Sequence, residues 1–145
     1  GLKAVWIEGF GFEAEAGLAD RSLFRSLALE GAMKRACSMA GVKDPSREIS
    51  VAELHETAAY QDLLWRKSMG LEALPEDRIN PSGGCLSAFA AIPAGLVRMI
   101  EACLQLRNAA SRQVPGARLA LAHAQQGLAG QSQCVWILGS GERRG

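Results

Sequence analysis

The sequence predicts an α/β fold of order β-α-β-α-α-β-β, with a mixed, mostly parallel sheet and helices on its faces. Three observations predict it. Runs of strand-type residues alternate with runs of helical apolar spacing, a pattern that builds parallel sheets covered by helices. Gly41 and Gly70 fall where predicted helices end, the usual place for a left-handed stop. The last two strand-like runs are joined by too short a link for a crossover, so they pair as an antiparallel hairpin.

Each element follows in order. Residues 4–7 read as a strand ended by Gly9 and Gly11. A polar loop covers residues 13–21. Over residues 22–40, Phe24, Leu27, Ala28, Ala32, Ala36 and Met39 recur at helical spacing. Residues 49–54 alternate as a strand. Residues 57–69 form a second helix, with Ala59, Leu63, Leu64 and Met69 inward. Residues 71–78 are a linker containing Pro75. A third helix runs from 95 to about 107, its apolar stripe being Leu96, Ile100, Cys103 and Leu104. Pro115-Gly116 marks a turn. Residues 118–124 and 133–138 are the hairpin strands, joined by a glycine-bearing loop at 125–130.

Composition bounds the function. The 145 residues are enough for one domain, 1–145, with a sizeable core. With 48% hydrophobic and 21% charged residues the chain is globular. A net charge of +1 gives no footprint for nucleic acid or an anionic membrane. No apolar run is long enough to span a bilayer, and Glu8 follows the first apolar residues too soon for a signal peptide. Four cysteines without a C-x-x-C pair, and two histidines, make no metal-ligand cluster. They read as the reduced thiols of a cytoplasmic protein.

Loops at the carboxyl ends of parallel strands share one edge of the sheet. That edge is expected to gather His55, the loop Ile79-Asn80-Pro81-Ser82-Gly83-Gly84-Cys85 and His123. His55 has two readings: a donor or proton shuttle for a substrate carbonyl, or a cap on the helix after it. Asn80 offers an amide, and Gly83 and Gly84 allow close backbone approach; the alternative is an ordinary turn. Cys85 is either a thiolate near a helix start or a packed thiol. His123 lies in a run of Leu and Ala, so a satisfied core histidine is its alternative reading. Tyr60 reads as core or rim. There is no G-x-S-x-G elbow, phosphate loop or dinucleotide fingerprint.

These segments together resemble the C-terminal half of a thiolase, of the sterol-carrier and lipid-transfer branch. Val51-Ala52-Glu53-Leu54-His55-Glu56-Thr57-Ala58 is similar to that branch's V-x-E-x-H-D-C-F segment. Residues 79–84 are similar to its I-N-P-S-G-G loop. Leu104-Gln105-Leu106-Arg107, then Arg112-Gln113-Val114-Pro115-Gly116-Ala117, is similar to its L-Q-L-R…R-Q-V-P-G-A stretch. Ala122-His123, followed by Gly127 and Gly130, resembles its closing glycine loop.

The resemblance implies a domain or subunit acting on CoA thioesters, by acyl transfer to CoA or by retro-aldol cleavage. CoA is then a substrate, and no other cofactor is implied. It implies His55 and His123 as catalytic residues and Asn80, Gly83, Gly84 and Phe89 as substrate-binding ones. The acyl-accepting cysteine belongs to an N-terminal half that this chain lacks. The implied partners are that half or further copies of the chain, and a small zinc-ribbon/OB-fold protein for the aldolase variant. Two departures qualify the chemistry: no histidine lies between Gly84 and Gly95, where the family has G-H-P and this chain has Phe89, and Thr57 stands at the H-D-C-F cysteine. They support the alternative of a non-catalytic acyl-CoA-binding or assembly module.

Overall fold

The computed structural model describes residues 3–16, 22, 24–88, 92–127 and 129–141. Four strands, β1 (Trp6–Ala14), β2 (Val51–Glu53), β3 (Leu119–Gln126) and β4 (Ser132–Gly139), form one sheet of order β1-β4-β3-β2. Three long helices, α1 (Leu27–Ala40), α3 (Ala59–Met69) and α5 (Ala94–Leu106), cover it. Two single turns, α2 (Pro45–Glu48) and α4 (Gly84–Ser87), were not expected.

The α/β architecture is as predicted, and the strand pairing needs a correction. β4 pairs antiparallel with both β1 and β3, and among the described strands β2 with β3 is the one parallel pair. Three strands do run the same way. The hairpin's second strand opposes them, however, and inserts itself between β1 and β3. Antiparallel pairings therefore outnumber parallel ones among the described strands. β1 and β2, joined through α1, sit at opposite edges.

β1 continues through the two glycines expected to end it. Gly9 and Gly11 lie under the backbone of α1, at Ala36 and Ala32, so here glycine marks close approach of a helix rather than a chain turn. α1 begins at Leu27 instead of residue 22. Ser26 caps it, accepting the Leu29 N–H at 3.2 Å, and Glu15 takes the Ser26 hydroxyl at 2.7 Å and the Ala28 N–H at 2.9 Å. With those donors satisfied, the helix has a defined first turn.

The sheet separates two apolar layers. On one face α1 and α3 bury Leu29, Ala32, Met33, Trp65 and Met69 against Leu121, Val135 and Ile137. On the other, α5 packs Ala102 and Leu106 against Val51, Ala120, Ala122 and Leu138. α5 is turned differently from the expectation. Its buried residues are Ala94, Arg98, Ala102, Gln105 and Leu106, while Leu96 is 60% and Ile100 48% exposed. The first half of the expected stripe faces outward, while Cys103 and Leu104 are half-buried and Cys103 packs against this core. α3 likewise buries Gln61, Trp65 and Met69 and leaves Leu63 exposed.

Candidate functional site

The carboxyl end of β2 brings the candidates together. Ile79 extends the sheet beside Ala52 by a parallel bridge, and the Asn80 N–H donates to the Ala52 carbonyl at 2.8 Å. Asn80 then turns into a left-handed conformation with φ 47°, and its Oδ1 accepts the Leu54 N–H at 2.5 Å. Its amide also hydrogen-bonds the Glu56 carboxylate. The carboxamide expected to meet a ligand is thus engaged inside the fold and holds the loop to β2. Gly84, φ 64°, has no room for a side chain: a Cβ there would collide with Glu56 Oε1 and Asn80 Nδ2. Gly83 has φ 98°. Cys85 is buried and its thiol is pushed up by that burial, which is the packed reading. Tyr60 is on the surface. Phe89 lies outside the described residues.

His55 is held on several sides. Its N–H donates to His123 Nδ1 at 3.2 Å. Its carbonyl accepts from Trp65 Nε1 at 3.2 Å and Gln125 Nε2 at 2.9 Å. Its ring Nδ1 accepts the Gln125 backbone N–H at 3.2 Å. A ring nitrogen facing an N–H must present a lone pair, so the neutral ring carries its proton on Nε2. Protonating Nδ1 would set two donors against each other. Burial, and then the Arg98 charge, lower the His55 pKa in the same sense. His55 is built as a neutral donor.

His123 is completely buried on β3. Its Nδ1 is taken by the His55 N–H. Its Nε2 lies 2.6 Å from Gln133 Oε1, whose own Nε2 donates to the Gly130 carbonyl at 2.8 Å. That fixes the amide's orientation and makes His123 Nε2 the donor. The Trp65 ring meets it edge-on, with centroids 5.7 Å apart. Burial drives its pKa down to about 4. With both nitrogens used, the geometry gives His123 the work of fixing His55.

On the α5 side, His55 lines a cavity of about 440 Å³ together with Gly95, Leu96, Ala124, Gln125 and Trp136. Around it Phe10 and Phe12 are 42% and 55% exposed, and Ile92 99%; the Phe10 ring lies 6.0 Å from that of Trp136. This is a broad apolar surface with an imidazole at its rim. Among the described residues no group of three or more His, Cys, Asp or Glu could hold a metal, and no helix is long and apolar enough to cross a membrane.

Glu53, Glu56, Gln125, Gln133 and Arg98 were not anticipated as parts of the site. One signal was available. Arg98 and Gln105 are seven apart, hence on one helix face, and both are polar where the neighbours are apolar.

A four-stranded mixed sheet, helices on both faces and a glycine-paired loop beside a strand-end histidine define the class of fold. Residues 72–140 match the family model described as "Thiolase C-terminal domain-like". The chain is 37% identical over 111 residues to sterol carrier protein 2 of Oryctolagus cuniculus, covering 63% of this chain and 20% of that protein. It is 40% identical over 95 residues to the Homo sapiens protein of that name, covering 52% and 17%. Among solved structures, a monomeric SCP2-thiolase like protein type 1 from Mycobacterium smegmatis aligns with TM-score 0.74 and 22% identity, over 93% of this chain and 29% of the other. The Ltp2-ChsH2(DUF35) aldolase aligns with TM-score 0.82 and 18% identity, over 99% and 41%. The chain is thus similar in sequence to the sterol carrier proteins 2 and shares the fold of thiolase-like C-terminal domains. It spans about a fifth of the length of the curated relatives it matches.

Proposed function

We propose that this domain supplies the hydrogen-bonding wall of an active site for CoA thioesters. An N-terminal half, seated on the apolar surface beside α5, contributes the nucleophilic cysteine. The observation that carries the reading is the neutral His55, its Nδ1 occupied and its proton on Nε2, at the wall of the cavity. Negative charge builds on the thioester or keto oxygen in both acyl transfer to CoA and retro-aldol cleavage. A neutral, prepositioned donor serves either without proton exchange. His123, Asn80, Gly83 and Gly84 shape the site, the first two from behind His55 and the loop. Phe89 belongs to the substrate-binding side in this reading. The aldolase neighbour is a complex with a partner subunit, which supports a small partner protein for the aldolase variant. CoA is substrate, no further cofactor is required, and a cytoplasmic setting fits four unpaired thiols.

The test is turnover of acyl-CoA and 3-hydroxyacyl-CoA substrates by the complete protein. His55→Ala is expected to lower kcat by about a hundred- to a thousandfold with little change in KM, and His55→Asn, which keeps a donor, to lose less. Full activity in His55→Ala would remove the assignment.

The absence of any histidine between Gly84 and Gly95 favours a second reading, a domain that binds acyl-CoA or a protein partner without turnover. It predicts saturable acyl-CoA binding and no product in any reconstitution.

The outward stripe of α5 gives a further expectation. Leu96 and Ile100, with Phe10 and Phe12, form an exposed apolar patch of the kind that marks an interface. The isolated domain should self-associate in sizing experiments, and Leu96→Lys with Ile100→Lys should make it monomeric. A wild-type domain that is monomeric at high concentration would count against a docked half.

A further inference from the structure

We propose that Arg98 is a positioning residue: from α5 it locks the end of β2, which carries His55, to the 80–84 loop. The proposal deepens the reading of His55 above and rests on that reading for its effect on turnover. The guanidinium is a shared donor. Its NH1 donates to Glu53 Oε2 at 2.7 Å and to Ser82 Oγ at 2.8 Å. The Ser82 hydroxyl donates to the same Glu53 Oε2 at 2.6 Å, and the Ser82 N–H donates to Glu53 Oε1 at 3.2 Å. Ser82 Oγ also accepts the Gly84 N–H at 3.3 Å. A strand, a loop and a helix meet in this triangle, and both charges are out of water, Glu53 at 0% and Arg98 at 3% exposure.

Stability does not account for the arrangement. A buried ion pair is often no better than an apolar pair of the same volume. Here burial pushes the Glu53 carboxyl up despite Ser82 and Arg98. Arg98 Nε has no hydrogen-bond partner among the described residues, an added desolvation cost. What the triangle supplies is register. Glu53 precedes His55 by two residues. Ser82 follows Asn80 by two, and Asn80 takes the N–H of Leu54, the residue between Glu53 and His55. Trp65, His123 and Gln125 hold His55 from the sheet and the α3 side; Arg98 fixes the strand end from the α5 side. It does not line the cavity, so it acts through Glu53 and Ser82.

The experiment is amide hydrogen exchange with turnover, on Arg98→Met and Arg98→Lys in the complete protein. In Arg98→Met the amides of Leu54, Ser82 and Gly84 should exchange about tenfold faster or more while those of β4 keep their protection. Its kcat should fall about tenfold or more, with KM changed by less than about threefold. Arg98→Lys keeps a cationic donor for both oxygens and should restore most of both. If Arg98→Met does not fold, the pair Glu53→Gln/Arg98→Met, which leaves no unpaired buried charge, takes its place with the same expectation. Unchanged protection at Leu54, Ser82 and Gly84 overturns the proposal. So does an equal loss over the whole domain, or a lysine variant no better than methionine. A wild-type protein without turnover overturns the catalytic reading of His55, and the exchange pattern then still decides for or against Arg98.

Discussion

Gly11→Ala is expected to cost the domain about 3 kcal/mol, the upper end for overpacking a well-filled interior. A Cβ at Gly11 would lie 1.9 Å from the Ala32 carbonyl oxygen and within 3.0 Å of its carbonyl carbon and Cα. These are backbone atoms of α1, so no side chain can swing away to relieve the clash. The helix must lift or β1 must shift, and either loosens the layer formed by Leu29, Ala32, Met33 and Ala36. β1 also carries Phe10 and Phe12 on its opposite face, so the proposed docking surface would be displaced too. For a chain of this length the melting temperature should fall by roughly 6–12 °C. Gly141→Ala, where the added carbon would meet nothing within 4 Å, is the control and should melt like the wild type. If Gly11→Ala melts within about 2 °C of wild type, the close approach of α1 to β1 is wrong.

Acid should destabilise the domain through His123. Its pKa falls from 6.5 to about 4 on folding because the ring is buried. The unfolded chain therefore binds a proton that the folded chain refuses, and stability rises with pH across that interval. The contribution is complete above pH 6.5 and is lost as pH falls toward 4, by roughly 3 kcal/mol in all. His55, also lowered, acts in the same direction. Glu53 and Glu56 are raised by burial and act in the opposite one: their contribution is full below 4.5 and fades as pH rises. Comparing variants isolates the histidine. His123→Gln is destabilised at every pH, but its loss of stability between pH 7 and pH 4.5 should be smaller than that of the wild type. Denaturant melts at the two pH values provide the comparison, and an identical pH dependence would show that His123 is not held neutral.

The elements were readable where local chemistry sets them. Gly41 and Gly70 end α1 and α3 in left-handed conformations, as their positions implied. The hairpin followed from its short link. The loop at 79–85 and the two histidines do converge, because β2 and β3 are parallel neighbours whose ends share an edge. Reading failed where a residue's meaning depended on what lay across from it. Gly9 and Gly11 resemble chain breakers until α1 is seen against them. The stripe Leu96, Ile100 resembles a core face, yet this chain leaves it open, and α5 turns its small and polar side to the sheet.

The sequence by itself determined the class of fold and the family it resembles, since periodicity, stops and motif residues are written in chain order. It also marked His55 and the Asn80 loop. Only the tertiary structure decided which nitrogen of each histidine carries the proton, that Asn80 is spent on Leu54 and Glu56, and that Arg98 is buried against Glu53. Those facts depend on donors and acceptors brought together from positions as far apart as 55 and 125. Burial then fixes their protonation, because a charge without a partner is costly away from water.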